Sequence, residues 1–314
     1  KAIKISTKLS DKDIKNFHIK MWIFAHGIAT LSATKSVKFT DEQYKLLTAV
    51  IKGTNNANVS VAQTTPGSEA SADTEAVLAS TQDDYGTSYY FREAVTNNFV
   101  EYANMCWRIV RVTGDGSIKL VLYNYNGLTS TNNTPSSSTP CNVTGDNYAF
   151  ARYEGNTYKS RFNSSYNDNA YVGFMYGTAG ASSYAVAQAN TNASTILTNL
   201  NKWYTNVLSK QANFKDSQLA DTIWCNDKSV VTDTTFNPFS LTLGTNYGYA
   251  KNVNYYSATK RLVQASSGTA GGTGPSLICP NDNNGGKLSK FTVSDAKYGN
   301  GNLDKKIGLL TADE

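Results

Sequence analysis

The sequence predicts an α+β domain of antiparallel strands, one or two helices and long irregular loops, preceded by an α-helical hairpin. Three observations carry this. Two β-rich runs flank a Gly-Asp-Gly turn at residues 106–123, apolar residues recur at helical spacing after Ser194, and the chain changes character near residue 54. At 314 residues the chain can hold one substantial core plus a small appendage.

Charge divides at the same place as character. Residues 1–53 hold 10 Lys and 4 acidic residues, a net +6, whereas the remainder holds 19 basic and 20 acidic residues, a net −1. The large part is therefore close to neutral, which disfavours a basic groove for nucleic acid. No run of roughly 18 apolar residues exists, so no membrane span is expected.

In the N-terminal piece Ser10 can cap a helix, with Asp11 and Asp13 in its first turn. Ile14, Phe17, Met21, Phe24, Ile28 and Leu31 then form one apolar stripe. Thr40-Asp41-Glu42-Gln43 opens a second helix through Leu46, Leu47, Val50 and Ile51, and Gly53 suits its C-terminal cap. His18, Trp22 and His26 share a face, but the histidines are about 12 Å apart along the axis, too far to share one metal ion unaided.

Residues 54–83 are rich in Asn, Ser, Thr and Ala with few large apolar side chains, so a flexible linker is expected there. Order is expected to resume at Asp84-Tyr85-Gly86. Cys106-Trp107-Arg108-Ile109-Val110-Arg111-Val112 and Ser117-Ile118-Lys119-Leu120-Val121-Leu122-Tyr123 are joined by Thr113-Gly114-Asp115-Gly116, which predicts a β-hairpin. Ile196, Leu200, Trp203 and Val207 predict a helix with Trp203 on its buried face. Beyond residue 235 the chain is Gly-, Asn- and Tyr-rich, with short strands at best. Its glycines fit neither a dinucleotide nor a P-loop fingerprint. Asn281-Asp282-Asn283-Asn284-Gly285 lacks the Glu of a calcium loop.

All four cysteines, Cys106, Cys141, Cys225 and Cys279, lie in the large part, and none forms a Cys-x-x-Cys motif. Three disulfide connectivities are possible. Cys106–Cys141 with Cys225–Cys279 is favoured, because each bridge closes a moderate loop and respects sequence order. The alternative is four free thiols in a cytosolic protein. The sequon Asn142-Val143-Thr144 is expected by chance in so Asn- and Thr-rich a chain.

The inventory argues against several chemistries. No histidine follows His26, which excludes Ser-His or Cys-His nucleophiles from the large part. Asp221, Asp227, Glu154 and Asp168 are available as paired carboxylates of a glycosidase type, although no spacing supports a particular pair. No catalytic residue, metal ligand or cofactor is expected.

Two resemblances add to this reading. Met21-Trp22-Ile23-Phe24-Ala25-His26-Gly27-Ile28-Ala29-Thr30-Leu31 with Phe39-Thr40-Asp41-Glu42 resembles the last helices of TetR-type repressors, over about residues 10–52. That resemblance implies a cytoplasmic origin for the piece. The family's DNA-reading helices lie upstream of it, so no DNA binding is expected.

Asp84-Tyr85-Gly86-Thr87-Ser88-Tyr89-Tyr90-Phe91-Arg92, Cys106-Trp107-Arg108-Ile109-Val110-Arg111, Trp224-Cys225-Asn226-Asp227, Cys279-Pro280-Asn281 and Ile307-Gly308-Leu309-Leu310-Thr311-Ala312-Asp313-Glu314 resemble uncharacterised surface proteins of gut Firmicutes. That likeness covers about residues 78–314, with Glu93 where the family has Gly. The order of parts is similar to domains of the formylglycine-generating-enzyme and C-type-lectin folds. This implies twisted antiparallel strands, with further strands beyond Thr-Ala-Asp-Glu. The formylglycine enzymes' cysteine pair cannot be placed, so their activity is not implied.

The expectation is a non-catalytic, disulfide-bonded extracellular or cell-surface domain. It would bind a glycan or a host or cell-surface protein through Tyr- and Asn-rich loops. The alternatives are a carboxylate-dependent carbohydrate-active enzyme and a cytoplasmic ligand-sensing or dimerising fragment. The chain starts at Lys1 without an initiator Met and stops at Glu314 within an element, so a piece of a longer protein is expected. A hairpin of cytoplasmic type beside an exported domain further suggests two fragments joined near residues 54–77.

Overall fold

A five-residue connection organises the main sheet. In the computed structural model the amide of Thr113 donates to the Ser117 carbonyl (2.8 Å) and that of Gly116 to the Thr113 carbonyl (2.9 Å). Gly116 sits at φ +84°, the left-handed position such a tight turn requires. The structure describes residues 62–63, 78–91, 98–142, 152–153, 156–157, 162–163, 171, 173–181, 183–228, 230–231, 255–256, 275–280, 286–311 and 313–314. The helical hairpin expected over 1–53 lies outside these residues, as do Glu93, Glu154, Asp168 and 281–285.

Six strands form the sheet: β1 (Ala62–Gln63), β2 (Leu78–Asp83), β3 (Gly86–Phe91), β4 (Phe99–Tyr102), β5 (Met105–Val112) and β6 (Ile118–Asn124). Strand β5 is central. Strand β6 pairs along one edge, while β4 and β3 share the other, β4 beside residues 105–108 and β3 beside 111–112. All pairs are antiparallel except β1 with β2. A bulge in β5 sets Arg111 opposite Lys119, one position after Ile109 meets Leu120, so that Val110 is the extra residue. The β5–β6 turn packs on the β2–β3 turn so closely that a Cβ on Gly114 would lie 2.6 Å from the Gly86 backbone.

Strand β2 corrects the expected linker boundary. Residues 78–83, within the stretch expected to be a flexible linker, pair in full register with β3, and Ala62–Gln63 pair with Ala79–Ser80. Beyond Leu78 the strand has no large apolar residue, yet Ala79 and Ser80 are buried. Small side chains allow close packing, and the backbone ladder supplies what apolar bulk does not.

Four two-stranded ribbons complete the strands. They are β7 (Arg152–Tyr153) with β8 (Asn156–Thr157), β9 (Met175–Tyr176) with β10 (Asn192–Ala193), β11 (Trp224–Cys225) with β14 (Lys290–Phe291), and β12 (Val230–Val231) with β13 (Tyr255–Tyr256). The α-helices among the described residues are α1 (Tyr184–Ala187) and α2 (Thr195–Asn206). The architecture is thus a mixed one of mostly antiparallel strands with two helices.

Ser194 caps α2 by accepting from the Leu197 amide (3.1 Å). The helix serves two cores. Ile196 and Leu197, with Leu200 beside them, pack against Phe174, Phe291 and Leu303. Trp203, Tyr204 and Val207 pack with Tyr102, Met105 and Leu128 on the sheet side. Trp203 meets Trp107 edge-on, with centroids 6.2 Å apart. Burying a large apolar side chain contributes about 1.5–3 kcal/mol, so this face dominates the helix's stability.

Two bridges fasten the loops. Cys106 of β5 is joined to Cys141, and Cys225 of β11 to Cys279, which accounts for every cysteine of the chain.

Candidate functional site

Hydrophobic periodicity in β5 and β6 brings charge inside the protein. Arg111 is in phase with buried Ile109, and both Arg111 and Lys119 are buried opposite each other. Two like charges directly across a ladder destabilise it unless counter-charges arrive. Asp83 comes from the end of β2 and accepts from Arg111 Nη1 at 2.6 Å. Glu314 accepts from Arg111 Nε at 2.9 Å and from Lys119 Nζ at 2.7 Å.

The cluster is neutral, two cations against two carboxylates, and further polar groups pack around it. Asp83 also accepts from the amides of Tyr85 (2.8 Å) and Gly114 (3.0 Å). Ser88 Oγ accepts from Arg111 and donates to the Val112 carbonyl. Lys119 Nζ lies 4.7 Å from the centre of the Trp224 ring. Burial alone would raise the Glu314 carboxyl, but Lys119 and Arg111 outweigh it and hold it below the usual carboxylate range. Burial pushes the Lys119 ammonium down, with Glu314 opposing.

The cluster lines a small pocket, partly open to solvent, together with Tyr85, Ile223, Ser276, Cys279 and Asp313. Its wall is tied by Asp84, which accepts from Lys290 Nζ and the Cys279 amide, both at 2.8 Å. Asp313 accepts from the Ser276 amide at 2.8 Å. The Tyr85 hydroxyl accepts from the Ile223 amide, and burial raises its pKa. These groups bind one another. Chemically the arrangement is a clasp that holds Asp313, Glu314 and the Cys279 loop onto the hairpin.

Of the carboxylates singled out from sequence, Asp221 has its partners in view. Asp221 accepts from the amides of Val293, Ser294 and Asp295 at 2.6–2.8 Å, and from Ser294 Oγ at 3.1 Å. Burial opposes ionisation of Asp221, but these donors prevail and its pKa is lowered, the opposite of what a general acid needs. Asp227 follows β11, while Glu154 and Asp168 lie outside the described residues. Asn142 of the sequon ends a 3₁₀ turn, Pro140–Asn142. Among the described residues no group of three or more His, Cys, Asp or Glu is placed to hold a metal ion. No helix among them is long and apolar enough to cross a membrane.

Aromatic and amide side chains gather elsewhere, around β9 and β10. Phe162 is 40% exposed and stacks on buried Phe174, with centroids 6.4 Å apart. Tyr171 and Tyr176 meet at 4.7 Å, and Asn163 Nδ2 donates to the Tyr171 carbonyl. Asn192 lies opposite Tyr176 in the ribbon.

Sequence reasoning missed Asp83, Asp84, Arg111, Lys119, Lys290 and Glu314. One signal was present: a charge in phase with apolar strand residues, as in Arg-Ile-Val-Arg-Val, calls for a buried counter-charge. No protein family, curated protein or solved structure matches the chain.

Proposed function

We propose that residues 78–314 are a non-catalytic extracellular or cell-surface domain of C-type-lectin-like type that binds a glycan or a protein through Tyr- and Asn-rich loops. The observation that carries this reading is the pairing of all four cysteines in two bridges, a state that persists in oxidising compartments. The order of parts supports the lectin-like reading. A Trp107–Arg108 hairpin, the Leu200–Trp203 helix and a Thr311–Glu314 segment folded back on the hairpin occur in that sequence.

The surface of Phe162, Tyr171, Tyr176 and Asn192 is the binding face on this reading. Aromatic faces stack on the apolar side of a sugar ring or a peptide side chain, and amides supply directional hydrogen bonds. Asp221 in its amide cradle is a loop anchor, which favours binding over carboxylate catalysis.

The test is an array of glycans and cell-surface proteins probed with the bridged full chain and with Phe162→Ala and Tyr176→Ala. Saturable binding to one class of ligand, weakened at least tenfold by either variant, is expected. Absence of any specific ligand overturns the reading.

A further inference from the structure

Lys228 is completely buried, and its Nζ donates directly to the side-chain oxygen of Asn190, itself 8% exposed. The two residues are 38 apart in sequence and are held from both sides. The Lys228 amide donates to Ser289 Oγ (3.0 Å), and its carbonyl accepts from the Tyr184 hydroxyl (3.2 Å). Its Nζ also donates to the Met175 carbonyl (2.7 Å), while Asn190 Nδ2 donates to the Leu288 carbonyl (3.2 Å).

The lysine stem runs past Gly173, at φ +83°, where a Cβ would stand 2.9 Å from Lys228 Cε. The Phe291 ring lies 5.5 Å from Nζ and packs edge-on with Phe174, both fully buried. Asn190 is held at φ +49°, a conformation uncommon for a residue with a side chain.

We infer that Lys228 and Asn190 are the partners of an intramolecular isopeptide bond, formed in the folded protein without added reagent. The neutral amine of Lys228 adds to Cγ of Asn190, making the new C–N bond. The Cγ–Nδ2 bond then breaks, and Nδ2 leaves as ammonia with the proton given up by Nζ. The product is a secondary amide, and nothing is oxidised or reduced.

The site supplies what this exchange needs. Desolvation penalises an ammonium and so favours the attacking form. Fixed proximity is worth an effective molarity of about 10⁵–10⁸ M in well-oriented systems, enough to make an otherwise inert amide reactive. Phe291 and Phe174, both fully buried, line the lysine side of the site and limit water there. The bond would join the β9–β10 connection to the chain three residues beyond Cys225, a second covalent tie beside the Cys225–Cys279 bridge.

The test is the intact mass of the folded, full-length chain after denaturation and full reduction, followed by tryptic mapping. The expected mass is lower than the sequence mass by one ammonia. A branched peptide should contain both Asn190 and Lys228, with no cleavage after Lys228. Lys228→Arg and Asn190→Ala should each restore the unmodified mass and the linear peptides. A wild-type chain of full sequence mass, with a linear peptide ending at Lys228, overturns the inference. So does an ammonia loss that persists in Lys228→Arg, because it would mark cyclisation at Asn190 alone.

Discussion

Glu314 accepts hydrogen bonds from both Arg111 and Lys119, two buried cations that face each other across one hairpin. A residue near the end of the described chain thereby neutralises a pair formed some 200 positions earlier, at separations of 203 and 195. The hairpin alone would bury like charges in contact. Folding of this sheet is tied to docking of Glu314.

Glu314→Gln should therefore destabilise the protein strongly. Removing one partner of a buried ion pair costs about 3–5 kcal/mol, because the remaining charges stay buried without compensation. Urea unfolding is the measurement, with a lower midpoint and unchanged slope expected. A change under about 1 kcal/mol would show that solvent reaches the cluster.

Acid should loosen the same clasp. The folded carboxyls of Glu314 and Asp221 are held below their ordinary values, so the unfolded chain binds protons first as pH falls. Their stabilisation is fully present above the unfolded carboxylate range, about pH 4–4.5, and is lost as pH drops through the folded values. Unfolding midpoints should fall steeply below about pH 4, and less steeply in Glu314→Gln.

Asp221→Ala should release the 293–295 turn while sparing the sheet. Three backbone amides lose their acceptor, at a cost of roughly 1–3 kcal/mol for this partly exposed site. Hydrogen exchange at Val293, Ser294 and Asp295 is the readout. Accelerated exchange there, with β5 and β6 unchanged, is expected.

The two bridges should contribute separately. Loops of 35 and 54 residues each correspond to about 4 kcal/mol of chain entropy, an upper figure. Paired Cys→Ser changes at 106 with 141, and at 225 with 279, should each lower the melting temperature. Non-reducing peptide mapping of native protein should recover both crosslinks.

Local structure was legible where neighbouring residues determine it. Gly116 gives the turn its left-handed position, and Ser194 followed by Ile196, Leu200 and Trp203 specifies a capped amphipathic helix. Sequence order also pointed to the two bridges that the fold contains. Strand β2 was not legible, because Leu78 is its one large apolar residue and its order comes from the ladder with β3. The amide cradle around Asp221 was not legible either, because composition shows that a carboxylate is available but not whether it faces substrate or three backbone amides.

By itself the sequence determined the hairpin, the helix and the division of charge near residue 54, all properties of residues within a few positions of one another. Only the tertiary structure decided the partners of Arg111, Lys119 and Lys228. A buried charge specifies that a partner must exist, but the low-dielectric site that makes the partner necessary is assembled from distant segments.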